Sequence, residues 1–250
     1  ALAGISLKGD LFFYVNPLAS YGDHHRQEWY GTACCPSQIS RFLPSIGNYI
    51  YGTSENEIWV NLFIGNTVEI NEDDNKVVIQ QVTDYPWEGR VTLKMESLSR
   101  PLKKEIRLRI PAWCKHYEIL VNGEKHENYP IEMGYVVIGK KWREGDEISF
   151  LMDMPVEIVE ADPRVKENIG KRAIQRGPLV YCIEEVDNPE FDDLVLSSDS
   201  KFSSSFNDWL LNGITVIEAV TNNQTIKLIP YYAWDNREQG QMKVWLNYRE

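Results

Sequence analysis

Residues 57–96 read EIWVNLFIGNTVEINEDDNKVVIQQVTDYPWEGRVTLKME. Four short runs with β-type composition stand out: Ile58–Ile64, Thr67–Ile70, Lys76–Thr83 and Val91–Glu96. Between them lie Asn-, Asp-, Gly- and Pro-rich clusters such as residues 71–75 (Asn-Glu-Asp-Asp-Asn), which favour turns over ladders. The pattern continues through Glu105–Ile110, Tyr117–Val121, Tyr135–Ile138 and Glu147–Met152. Eight short strands in about 100 residues, punctuated every 8–12 or so, predict an antiparallel sandwich. Pro155 is a natural seam, and beyond it Val156–Glu160, Arg172–Ile174, Leu179–Glu184, Thr215–Val220, Thr225–Ile229 and Lys243–Leu246 predict a second, smaller one. The Asp- and Ser-rich stretch Asp187–Asp208 reads as a long loop.

Upstream the pattern differs. Ile5–Leu7 and Phe12–Val15 read as two short strands joined at Lys8-Gly9-Asp10, and Ala19–Gln27 as a polar loop. A helix follows, with Pro36 at a first helical position, where its missing N–H costs nothing. Ile39, Phe42, Leu43 and Ile46 then form one apolar stripe, and Pro44 is expected to kink or shorten the helix. The expected domains are 1–55, 56–155 and 156–250. The first residue is Ala, with no basic n-region and apolar h-region behind it, so the chain is expected to begin mid-domain.

Composition narrows the function. The formal charge of −11 is the wrong sign for a phosphate-binding surface, so nucleic acid is not an expected partner. No apolar run reaches the 18 or so residues of a membrane-spanning helix. Eight Trp and 13 Tyr suit both sheet cores and carbohydrate contacts, and composition does not choose between them.

The chemistry-bearing candidates are few. Cys114 and Cys182 lie beside apolar strand residues and read as small buried hydrophobes. Cys34 and Cys35 are adjacent, which strains any bridge between them, and they stand at a helix entrance where anions are stabilised. Two readings fit that pair: packed core cysteines, or thiolates that hold a zinc while one serves as nucleophile. His24, His25 and Glu28 are the local candidates for further ligands, against the plain alternative of a solvated loop. The carboxylate pairs are unconvincing. Glu184 and Glu185 point to opposite strand faces, and Asp73-Asp74 and Asp192-Asp193 sit in polar loops. No Walker A, GxSxG, HExxH or dinucleotide fingerprint is present.

Several segments together resemble the β-L-arabinofuranosidase family of glycoside hydrolases. They are Phe12-Phe13-Tyr14-Val15-Asn16-Pro17-Leu18, His24-His25-Arg26-Gln27-Glu28-Trp29-Tyr30-Gly31, Ala33-Cys34-Cys35-Pro36 and Arg41-Phe42-Leu43. Arg109-Ile110-Pro111-Ala112-Trp113, residues 170–181 and Pro230-Tyr231-Tyr232-Ala233-Trp234 extend the likeness in family order over essentially the whole chain. The resemblance implies a mainly β chain: two antiparallel, jelly-roll-like β-sandwiches preceded by a strand-loop-helix remnant of an (α/α)6 catalytic barrel. It implies that Cys34 attacks the anomeric carbon of an L-arabinofuranoside or related glycan. Cys34 and Cys35 would then bind Zn2+, and Tyr14, His24, His25 and Trp29 would lie near the sugar.

The family's other zinc ligands, a Glu-x-Cys motif, and its acid/base Glu lie upstream in the barrel, and none is found here. Thr32 stands where some relatives carry a cysteine, and Pro44 replaces a helix-compatible residue. The implied partner is therefore the missing N-terminal barrel, the chain alone is expected to be inactive, and its uncovered 1–55 segment is expected to self-associate. The alternative from another class is a non-catalytic sandwich module for carbohydrate binding or scaffolding.

Overall fold

The computed structural model describes residues 4–32, 34–72, 75–125, 127–221 and 224–249. The chain is mainly β, with 49% of residues in strands. Contacts divide it into two compact units, Phe42–Met154 and a second that joins Ala1–Arg41 to Pro155–Glu250. After β1 (Ala19–Tyr21) come helices α1 (Cys34–Ser45) and α2 (Gly47–Ile50).

The Phe42–Met154 unit holds β2 (Tyr51–Thr53), β3 (Glu57–Val60), β4 (Asn66–Glu72), β5 (Asn75–Thr83), β6 (Arg90–Leu98) and β7 (Leu102–Arg109). It continues with β8 (Tyr117–Val121), β9 (Glu124–Lys125), β10 (Ile131–Glu132), β11 (Tyr135–Trp142) and β12 (Glu147–Met152). Two sheets form, ordered β10-β11-β7-β3-β2 and β4-β5-β6-β12-β8-β9. Alternation puts every second side chain inward, and register aligns these into rows. Ile58, Ile106 and Ile138 make one row, and Val60, Leu108 and Val136 the next. On the other sheet Leu93, Ile148 and Val121 line up, as do Val91, Phe150 and Ile119. All belong to one buried cluster, as a two-sheet sandwich requires. Trp142 is fully buried and donates its indole N–H to the Lys104 carbonyl at 2.9 Å, so its single polar atom is satisfied.

The expected strand Ile58–Ile64 ends at Val60. Side chains there take the backbone out of the ladder: Arg109 Nε donates to the Asn61 carbonyl at 2.6 Å, and Tyr135 Oη to Asn61 Oδ1 at 2.9 Å.

The other unit adds β13 (Val156–Val159), β14 (Lys171–Arg176), β15 (Leu179–Glu184), β16 (Val195–Ser197), β17 (Lys201–Asn207) and β18 (Ile214–Thr221) to β1. It closes with β19 (Gln224–Pro230), β20 (Gln241–Lys243) and β21 (Leu246–Arg249). The hydrogen-bonded path runs β16-β21-β14-β15-β19-β18-β17, with β13 on β14, and β20 joining β1 to β15. Both faces are covered. Along β15, Tyr181 and Ile183 enter one buried cluster while Cys182 enters another; β19 divides Leu228 from Ile229 in the same way. Two-sided burial explains near-continuous apolar runs such as Ile-Thr-Val-Ile in β18. The cluster holding Cys182 also takes Phe13 and Trp234, so it anchors the N-terminal segment.

Three local expectations are corrected. Residues 5–15 form no strand pair, only isolated bridges of Phe12 with Ile5 and with Gln27. The Ser6 hydroxyl accepts from the Asp10 and Leu11 amides, both at 3.2 Å, and so captures donors that a hairpin would use. The long loop predicted for Asp187–Asp208 contains β16 and β17. Strand β17 is a sheet edge with mostly exposed Ser and Lys, so alternation is invisible in its sequence. Helix α1 starts at Cys34, two residues before Pro36, and ends at Ser45 directly after Pro44. None of its residues is buried, and Phe42 and Leu43 are among its exposed apolar side chains. Cys114 and Cys182 are buried and unbridged, as expected, and burial raises the Cys114 thiol to about 11. Among the described residues, no helix is long and apolar enough to cross a membrane.

Candidate functional site

The segment Phe12-Phe13-Tyr14 is the base of the site. Phe13 is 2% exposed, and its ring stacks on Trp234 with centroids 4.7 Å apart. The chain bends directly after Phe13, and Tyr14 is left half-buried. The Tyr14 hydroxyl meets Cys34 Sγ at 2.8 Å, in the first residue of α1. Cys35 Sγ is 3.9 Å from Cys34 Sγ, and both thiols are exposed and unbridged. Within these 250 residues the pair is not packed in a core.

Electrostatics favour an anion on Cys34. The Tyr14 hydroxyl, then the Cys35 thiol, draw Cys34 below the ordinary thiol range, and the same contact pushes Tyr14 upward. The helix start adds a partial positive charge at the same place. A phenol kept neutral beside a thiolate donates its proton to the sulfur, which orients that sulfur as well as holding its charge. Beside the pair, a cavity of about 370 Å³ is lined by Phe12, Tyr14, Asn16, Cys35, Pro36 and Ile39, among others.

The spacing of the pair fits half of a zinc site. Two thiolates on one tetrahedral Zn2+, with bonds of about 2.3 Å, lie about 3.8 Å apart. The observed 3.9 Å needs no rearrangement, and soft sulfur donors suit the ion. Among the described residues no group of three His, Cys, Asp or Glu is placed to hold a metal.

The loop residues take other roles. His24 Nε2 lies 2.9 Å from the Val15 carbonyl, and its ring stacks on Phe13. Both nitrogens of His25 are engaged, Nδ1 with Asp235 Oδ1 at 2.8 Å and Nε2 with the Gly22 carbonyl at 3.0 Å. Neither histidine lines the cavity beside the thiols; Trp29 is 62% exposed and also stands outside it. Thus Tyr14, Cys34 and Cys35 come together, whereas His24 and His25 brace the segment beneath them.

Sequence reading gave no role to Arg26 or Asp235. The Arg26 guanidinium is buried over the Phe13 ring and donates to the carbonyls of Gly4, Trp234, Asp235 and Tyr232. Asp235 returns the contact by accepting from the Arg26 amide at 3.0 Å. These partners are 209 residues apart in the chain, so no local spacing signals them.

Comparison with known proteins covers nearly the whole chain. Residues 1–48 match the sequence profile of the glycoside hydrolase family 127 β-L-arabinofuranosidase catalytic domain. Residues 57–154 match that family's middle domain, and residues 156–247 its C-terminal domain. The chain is 32% identical to the non-reducing end β-L-arabinofuranosidase of Bifidobacterium longum subsp. longum, over 98% of this chain and 43% of that protein. Among solved structures it is similar to Ara127N, a GH127 β-L-arabinofuranosidase from Geobacillus stearothermophilus T6, at 38% identity and a TM-score of 0.89. The GH127 β-arabinofuranosidase BT3674 follows at 35% identity and a TM-score of 0.91. Each comparison covers 99% of this chain and 44% of the other. The chain therefore spans less than half the length of these relatives.

Proposed function

For a chain that belongs to glycoside hydrolase family 127, the β-L-arabinofuranosidase family, we propose that Cys34 is the nucleophile of a retaining glycosidase acting on L-arabinofuranosides or related glycans. The supporting observation is the meeting of Tyr14, Cys34 and Cys35 at the start of α1, with contacts of 2.8 and 3.9 Å. In this reading Cys34 and Cys35 hold two corners of a Zn2+ site. The ion, when bound, supplies positive charge that keeps both sulfurs ionised at neutral pH.

Retention needs two displacements. The Cys34 thiolate forms a bond to the anomeric carbon as the glycosidic C–O bond breaks, and the departing oxygen takes a proton from a carboxylic acid. Water then attacks the same carbon, the C–S bond breaks, and the carboxylate accepts the water's proton while the thiolate is restored. Tyr14 holds the sulfur before the first step and after the second, donating a hydrogen bond to it while it is anionic. The described residues offer neither a third metal ligand nor a carboxyl group at the thiols, so we propose that the 250 residues alone do not complete turnover.

The test has two parts. The chain alone is expected to bind Zn2+ with loss of affinity in Cys34→Ser and Cys35→Ser, and to leave 4-nitrophenyl β-L-arabinofuranoside intact. Joined behind the remaining part of a family 127 catalytic domain, it is expected to release 4-nitrophenol, and Cys34→Ser to abolish the release. Normal turnover by Cys34→Ser at unchanged zinc content would remove Cys34 as nucleophile. Sugar binding by the chain that survives both Cys34→Ala and zinc removal would favour the module reading instead.

A further inference from the structure

We infer that Asp235, in the turn after β19, is a positioning residue for the Tyr14–Cys34 pair, so that the C-terminal sheet is the seat of the thiol site. The inference rests on Cys34 being the working thiol, and it concerns what holds that thiol in place.

The chain of contacts is continuous. Asp235 Oδ1 meets His25 Nδ1 at 2.8 Å, and Oδ2 accepts from the Arg26 amide at 3.0 Å. Both carboxylate oxygens therefore grip consecutive residues of one loop, which fixes the loop's direction as well as its place. Asp235 is itself held: its amide donates to Glu184 Oε1 at 2.8 Å, at the end of β15. The Arg26 side chain then clasps Gly4 and residues 232–235 and covers the Phe13 ring at 4.3 Å. Gln27 exchanges two backbone bonds with Phe12, both at 3.0 Å. Phe12 and Phe13 are thus pinned on either side of one peptide bond, and Tyr14 follows with its hydroxyl on Cys34.

Asp235 lies at φ 55, a left-handed conformation that Gly adopts freely and Asn tolerates. This makes two informative variants available. Asp235→Gly removes both grips without backbone strain. Asp235→Asn keeps two polar atoms in the same positions, its amide donating to His25 and its oxygen accepting from Arg26.

The test uses the full chain in a Cys35→Ser background and measures iodoacetamide alkylation of Cys34 and Cys182 by peptide mass spectrometry. Tyr14→Phe sets the reference change in the Cys34 rate. Asp235→Gly is expected to move that rate at least about threefold in the same direction, with Asp235→Asn close to the parent. In the Tyr14→Phe background, Asp235→Gly is expected to add nothing, because its effect runs through Tyr14. Cys182, buried in the same cluster as Phe13, is expected to stay protected throughout. If Asp235→Gly does not fold, His25→Ala breaks one of the two grips and is expected to give a smaller change of the same sign. An unchanged Cys34 rate, an undiminished effect without the Tyr14 hydroxyl, or parallel exposure of Cys182 would each overturn the proposal. None of these readouts needs glycoside turnover, so failure here is distinguishable from failure of the nucleophile assignment.

Discussion

Replacing Phe13 by Ala tests whether the site segment is part of the core or merely lies on it. Phe13 is 2% exposed, stacks on Trp234 and His24 with centroids 4.7 and 5.0 Å apart, and carries Arg26 above its ring. Truncating a fully buried Phe costs about 3–5 kcal/mol, from lost transfer energy and the cavity left behind. The upper half applies here, because a rigid indole and a guanidinium fixed by four carbonyls collapse poorly into the space. With a urea dependence of about 2 kcal/mol per molar, a cost near 4 kcal/mol lowers the midpoint by about 2 M. Hydrogen exchange in urea, read separately on peptides from β18–β19 and from β5–β6, assigns that loss to a unit. The β18–β19 peptides are expected to lose protection by the full amount and the β5–β6 peptides to keep theirs. A midpoint shift below about 0.5 M, or equal loss in both sets, would refute the reasoning.

Two further outcomes follow from packing and charge. Burial works against the Asp187 charge, but donation and attraction from Arg237 and Lys227 prevail and hold its carboxyl below the usual range. Its stabilisation is present above about pH 4 and is lost as the pH falls through the depressed folded-state value. Arg237→Met strands the buried Glu184 and leaves Asp187 with Lys227 alone, at a cost of about 3 kcal/mol at pH 7. That gap from the parent should shrink in urea titrations below about pH 4; a constant gap would dismiss the network. Gly89→Ala places a Cβ 2.0 Å from the Met152 carbonyl oxygen, so a strand end must move. A loss of about 2 kcal/mol and a drop in melting temperature near 10 °C are expected, and an unchanged melt would contradict the close approach.

Several strands of the Phe42–Met154 unit were legible because burial alternates along them, as in β5 and β12, so period-two patterning survives in the sequence. In the other unit both faces of β15, β18 and β19 are covered, and apolar runs identified strands without revealing which face was which. Strand β17 escaped notice because this edge strand, rich in Ser, buries little beyond Phe202. The thiol pair was legible as a motif, being adjacent in sequence at a helix entrance. Its exposure and its contact with Tyr14 were not, since a local pattern does not say what the far end of the chain covers. Arg26 and Asp235 were invisible for the same reason: each is meaningful only beside the other.

That same distance sets a clock on synthesis. Asp235 follows Arg26 by 209 residues, and at about 5–20 residues per second a ribosome needs roughly 10 to 40 s to traverse the interval. Once Met154 has been added, the contiguous Phe42–Met154 sandwich is whole and free to fold, while Phe13 still waits for the Trp234 on which it will stack. The nascent chain thus carries two neighbouring thiols, on an unmoored segment, past every oxidant and stray metal in its surroundings. A chaperone or a reducing milieu that shields residues 4–41 until the last strands emerge would raise the yield of native protein, while acting on nothing that remains visible once folding is complete.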